Sequence, residues 1–164
     1  MNRDQQRAVG LVELLVAVVL LSILISMAIP AFARFQESKR QETTRDLLAS
    51  HIQQTRTSAV LSGRPHELCG SSDGETCDGS WDRYWLITAL GDPPDMIQQH
   101  PAPSQKLCWK GFARDTLRFQ PNGTSPSSNG SFSICASDGP AWQLILNRQG
   151  RLRKARGHHS ITCC

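Results

Sequence analysis

Five cations crowd into nine residues near the C-terminal end: Arg148, Arg151, Arg153, Lys154 and Arg156, with no acid among them. Arginine's planar fork suits phosphate oxygens, and several together bind polyanions in a salt-dependent, sequence-tolerant way. The plainer reading is a solvated edge strand whose charges prevent pairing with other chains. No aromatic residue lies among these arginines, so stacking on single-stranded bases is not suggested; contact with a duplex backbone fits better. A second oddity is Glu13, the only charge in the run Val9–Ile29, VGLVELLVAVVLLSILISMAI. A carboxylate in apolar surroundings is costly and normally has a partner. The plainer reading there is a tolerated charge snorkelling at a helix end.

The six cysteines, Cys69, Cys77, Cys108, Cys135, Cys163 and Cys164, all follow that apolar run, and none falls in a CxxC pair. An even set in a small domain beyond a membrane segment reads as disulfides in an oxidising compartment. Cys69 and Cys77 flank a short turn-rich loop and are expected to pair locally. A bridge from Cys135 to Cys163 or Cys164 would pin the basic tail, and Cys108 could take the other; six cysteines permit fifteen arrangements. A metal site would have to use Cys163 and Cys164 with His158 and His159. Adjacent cysteines rarely ligate one ion, so neither metal nor cofactor is expected. His51, His158 and His159 have no carboxylate or serine at suggestive spacing. With no nucleophile elbow or P-loop either, an enzyme is not expected. Trp81, Trp85, Trp109 and Trp142 are read as core or rim residues.

Elements must position these groups. Twenty-one helical residues span about 30 Å, the thickness of a bilayer's hydrocarbon core, so Val9–Ile29 is read as a membrane helix. The polar leader MNRDQQRA carries Arg3 and Arg7, which marks the cytoplasmic side. A secretory signal is disfavoured, because the run is long and no small-x-small exit site follows it. Pro30 should kink the helix rather than end it. Beyond it no Gly or Pro occurs until Gly63, and Phe32, Phe35, Leu48, Ile52, Thr55 and Ala59 recur on one face. One helix of about fifty residues is expected, capped at Gly63, its second half lying on a sheet.

From Arg64 short strands alternate with turns. The expected strands are His66–Cys69, Tyr84–Leu90, Leu107–Trp109, Thr116–Gln120, Ser131–Ala136, Trp142–Asn147 and Arg151–Ala155. Pro121–Gly130 reads as a mobile loop tip. Close spacing without intervening helices implies antiparallel pairing, so the fold class is α+β: a long N-terminal helix packed on an antiparallel sheet. If Gly150 ends a hairpin turn, Arg151 and Arg153 share one strand face and Leu152 takes the other. Charge is uneven: residues 1–63 carry +2, residues 64–138 carry −3 and residues 139–164 carry +5. An acidic body with a basic tail suggests an anionic partner for the tail.

The order of basic leader, small residue, apolar run with an early glutamate, then proline, resembles a type IV prepilin. In that family the glutamate is the fifth mature residue. Placing Glu13 fifth puts the cut between Ala8 and Val9, and Pro30 then lies at the family's spacing, seventeen residues after the glutamate. Ala8 departs from the usual Gly, and Val9 from the usual Phe. Further on, LCGSSDGETCDGSWDRYWLI, LRFQPNG, FSICASDG and LNRQGRLRKAR resemble the GspH/FimT group of minor pilins in the same order. The resemblance implies a type IV pilin fold, in which 1–8 is a leader, 9–30 a transmembrane and filament-core helix, 31–63 its amphipathic half and 64–164 a globular β domain. It also implies removal of the leader by a prepilin peptidase, N-methylation at Val9, and pairing of Glu13 with that amine on a neighbouring subunit. Gly150-Arg151-Leu152-Arg153 matches the GRxR motif of FimT-like members, which bind DNA for uptake in natural transformation. The partners implied are DNA, other major and minor pilins, and the inner membrane before assembly into an extracellular pilus. The alternative is a structural FimU-like or GspH-like subunit that primes a pilus or a type II secretion pseudopilus without DNA.

Overall fold

A computed structural model describes residues 10–103, 105–112, 115–136 and 139–156, with side chains of 135, 136 and 139–141 left undescribed. Ala8, Val9, His158, His159, Cys163 and Cys164, and the Cys135 side chain, lie outside the described residues.

Helix α1 spans Leu11–Ser62 without interruption at Pro30. It ends where Gly63 turns to φ +65°, a conformation open to glycine and costly for other residues. The chain divides into two compact units, 1–39 and 40–164. In the first, α1 carries an apolar stretch with a mean hydropathy of 2.8, long enough to cross a membrane. The hydroxyls of Ser22 and Ser26 donate to the carbonyls of Val19 and Ile23, both at 2.7 Å, so neither is left unsatisfied in an apolar setting. Phe32 and Phe35 are exposed in this unit and do not join the buried stripe.

In the second unit, Leu48, Ile52, Thr55 and Ala59 form the buried face of α1. The unit's strands are β1 (His66–Ser71), β2 (Tyr84–Ala89), β3 (Asp95–Pro101), β4 (Leu107–Gly111), β5 (Thr116–Phe119), β6 (Gly130–Ala136), β7 (Gly139–Leu146) and β8 (Leu152–Arg156), and the helix stripe shares one core with residues from each of them except β3. All pairings are antiparallel, but they form two four-stranded sheets, ordered β3-β2-β1-β5 and β4-β6-β7-β8, rather than one. Strand β3 is an addition to the expected set. Its sequence DMIQQHP has no apolar alternation because it is a mostly exposed edge strand paired only with β2. One core holds both sheets and the helix, with Trp81, Trp85 and Trp142 buried and Trp109 packed against them.

Residues 121–130 are tied down rather than free. Ser125 and Ser128 are fully buried. Ser125 Oγ donates to the Arg118 carbonyl at 2.8 Å, and Ser128 Oγ accepts from the Arg118 amide at 2.9 Å. The Ser125 amide donates to the carbonyl of Arg148 at 2.8 Å.

Candidate functional site

The basic segment begins in the turn between β7 and β8. Gly150 N donates to Asn147 O at 2.9 Å, and Asn147 N donates to Arg151 O at 3.1 Å. The Asn147 side chain closes the turn by accepting from the Arg151 amide at 2.8 Å. Gly150 sits at φ +73°, and a Cβ there would lie 2.3 Å from the carbonyl oxygen of Gly123. Only glycine meets both demands. That same Gly123 oxygen accepts from Arg56 Nε of α1 at 2.9 Å. The helix, the 121–130 segment and the basic turn therefore meet at one point.

All five cations, Arg148, Arg151, Arg153, Lys154 and Arg156, are exposed. The register divides those on β8 between two faces. Lys154 aligns with Leu144 and Phe132, and Arg156 with Trp142 and Ile134, all core residues. Leu152, Lys154 and Arg156 therefore lie on the helix side of the sheet edge, where Leu152 packs on the core. Arg153 lies on the opposite face, in a cross-strand row with Ile145, Ser131 and Lys110. Arg151, two residues before Arg153, shares its side by strand alternation. Beside the turn a shallow groove of about 580 Å³ runs along Ser131 and Ile145, edged by Asn129 and Arg148.

On the helix side, Lys154 Nζ lies 2.8 Å from Asp46 Oδ1, and Arg45 Nε donates to the same oxygen at 2.8 Å. Hydrogen bonds from Arg45 and then Lys154 lower the Asp46 carboxyl to about 2. Asp46, Arg56 and Lys110 are the neighbours that sequence reasoning missed. Asp46 is 108 residues from Lys154, and the strand expected at Leu107–Trp109 stopped one residue short of Lys110.

Among the other sequence-predicted residues, Glu13 and Pro30 both lie within α1 in the first unit. Cys69 and Cys77 form a disulfide. Cys108 is also disulfide-bonded. No cluster of metal-ligating side chains occurs among the described residues.

A long N-terminal helix on antiparallel sheets, led by a membrane-length apolar segment, is the type IV pilin fold. Residues 44–150 match the family model of type II transport protein GspH, and residues 3–29 match the prokaryotic N-terminal methylation motif. The chain belongs to the GspH family. Two crystal structures of the type IV minor pilin FimU from Pseudomonas aeruginosa PAO1 are similar to it. One has 23% identity and a TM-score of 0.56, covering 69% of this chain and 90% of that one. The other has 23% identity and a TM-score of 0.57, covering 73% and 90%. No curated protein matches the chain.

The family and fold are those of structural pilins rather than enzymes. The methylation motif and apolar helix give a minor pilin or pseudopilin. It is held in the inner membrane, with its globular unit periplasmic, before incorporation into a pilus. Its partners are other pilins and the peptidase that processes it.

Proposed function

We propose that this minor pilin captures extracellular double-stranded DNA for uptake in natural transformation, through the basic region that begins at the Gly150 turn. The observation that carries the reading is the exposed set Arg148, Arg151 and Arg153 on and beside a turn fixed by Gly150. Arg153 shares its sheet face with Lys110, three strands away, a separation of about 14 Å at about 4.8 Å per strand. That span reaches phosphates about two steps apart along one strand of a duplex, and such contacts carry no base readout. Lys154 and Arg156 extend positive charge around the sheet edge.

The test is the DNA affinity of the globular unit, residues 40–164, against salt. Four to five phosphate contacts predict a slope of log K on log salt of about −4. Arg151→Gln/Arg153→Gln should lower that slope by about two and largely abolish binding at moderate salt. Absence of binding at low salt overturns the reading. Binding unaffected by the double substitution moves the site elsewhere.

A structural role without DNA is the second reading. The observation favouring it is the engagement of Lys154 by Asp46, which makes that cation part of a helix-to-sheet clasp. In either role, the processing reading is cleavage between Ala8 and Val9 and methylation of the new amine. Glu13 then neutralises that amine on the neighbouring subunit in the lipid-free filament core, where either charge alone is costly. Pro30 lies at the register this requires. Mass spectrometry of assembled chains should find methyl-Val9 as the first residue; a mature chain beginning elsewhere refutes the register.

A further inference from the structure

Helix α1 and edge strand β3 meet at two imidazoles. His51 projects from α1 into the core and is 4% exposed. Its ring centroid lies 4.2 Å from that of His100 on β3 and 5.4 Å from that of Trp85 on β2. Trp85 and His100 are cross-strand partners, so all three rings share one seam. Among the described residues neither ring nitrogen of His51 makes a well-formed hydrogen bond, Gln54 being only a weak neighbour, and His100 Nε2 has no partner. A neutral imidazole always carries one N–H and one acceptor, so His51 leaves both unsatisfied in the core. As packing alone, a phenyl ring would fill this place without that penalty.

Among the described residues, Trp85 from β2, His100 from β3 and Gln54 from its own helix act on His51. None of them is a carboxylate. Burial first, and His100 second, push the His51 ring below the usual histidine range, and Gln54 only partly offsets them. Gln54 Nε2 itself donates to Gln98 Oε1 on β3 at 2.6 Å. Strand β3 supplies no residue to the buried core cluster and is held by β2 through a ladder that shifts register at Ile87/Thr88. Its attachment to α1 thus runs through His51–His100 and Gln54–Gln98.

We propose that this histidine pair is an acid-operated latch on β3. When the surroundings acidify, protonation places a cation at His51 against a second imidazole, with no carboxylate acting on it among the described residues. The seam opens, β3 leaves the helix, and Trp85 with the adjoining edge of β2 becomes accessible. The globular unit of a pilin faces the periplasm and then the medium, where pH follows the environment. The sign follows from linkage. The opened state takes up the proton more readily, so closure is fully present above the ordinary histidine value of about 6.5 and weakens as pH falls below it. One proton makes the opening constant rise about tenfold per pH unit in that window.

The experiment is amide hydrogen exchange on the full chain in detergent micelles from pH 7.5 to 5, corrected for intrinsic exchange. The amides of Gln98 and His100, which the antiparallel alternation turns toward β2, should lose protection about tenfold per pH unit below about 6.5, while those of β1 stay flat. Trp85 emission should shift with the same midpoint. In His51→Phe the β3 protection should become independent of pH, and His100→Phe tests the same seam should that variant fail to fold. A merely structural pair would change protection equally at every pH. Flat β3 protection in the unaltered chain, or an unchanged slope in the folded phenylalanine variant, overturns the proposal.

Discussion

Replacing Gly150 with alanine tests whether the basic turn is set by contact with the 121–130 segment. Three glycines in left-handed backbone form a graded series. At Gly63, φ is +65° and a Cβ would meet nothing within 4 Å. Gly63→Ala should therefore cost only the backbone term, about 1 kcal/mol. At Gly123, φ is +74° and the Cβ would come 3.1 Å from Arg56 Nε, the end of a flexible side chain. The backbone term with a partly weakened hydrogen bond gives about 1–2 kcal/mol. At Gly150, φ is +73° and the Cβ would lie 2.3 Å from a backbone oxygen that cannot swing away alone. Moving it strains two bonds, Arg56 Nε to Gly123 O at 2.9 Å and Ser125 N to Arg148 O at 2.8 Å. Adding about 1 kcal/mol for each bond gives about 3 kcal/mol for Gly150→Ala. Chemical denaturation of the three variants measures the order directly. A Gly150→Ala loss no larger than that of Gly63→Ala refutes the reasoning, because the close approach would then carry no energy.

Three further outcomes are expected. Arg118→Ala should cost about 1–3 kcal/mol in denaturation, because Glu67 is 10% exposed and would lose its ion pair at 3.1 Å. The Asp73 carboxyl is held well below the usual carboxylate range by the Thr76 and Glu75 amides and by the Thr76 and Ser71 hydroxyls. Its contribution to the loop is therefore complete above about pH 4 and is lost only as pH falls through the depressed value. Amide resonances of Glu75 and Thr76 should titrate well below pH 4, and a midpoint near 4 would contradict this. If DNA is the ligand, Asp46→Asn should free Lys154 and tighten binding severalfold with little change in the salt slope, because Lys154 is recruited in either chain. Weakened binding in a folded Asp46→Asn chain would mean that the clasp holds Lys154 in place for the ligand.

Local patterns in the sequence announced much of this fold. The gap between Pro30 and Gly63 foretold an unbroken helix, and Leu48, Ile52, Thr55 and Ala59 are its buried stripe. Seven of the strands announced themselves as short segments between turns. Strand β3 did not, because an edge strand with an exposed sequence has no alternation to display. Its two sheets were equally hidden: β5 returns to β1 and β4 joins β6, and such non-local partners leave no mark in nearby residues. Segment 121–130 misled by composition. It read as a mobile loop tip, yet Ser125 and Ser128 are buried partners of the Arg118 backbone.

The basic cluster shows where such reading stops. Clustering and strand alternation were visible, so Arg153 could be set opposite Leu152 from sequence alone. Alternation also assigns Lys154 and Arg156 to the side of Leu152, but it does not say what waits there. The answer is Asp46, whose single oxygen takes both Lys154 and Arg45. A run of five cations is thus not one surface. Arg148, Arg151 and Arg153 form an outward set around a turn that only glycine can make, while Lys154 is held at the helix and Arg156 lies on the same side. Exposed ion pairs are weak, about 0–1 kcal/mol, so Asp46 holds Lys154 loosely enough for a phosphate to displace it. A polyanion would therefore meet the outward arginines first and recruit Lys154 second, so losing the outward pair should cost more affinity than losing Lys154.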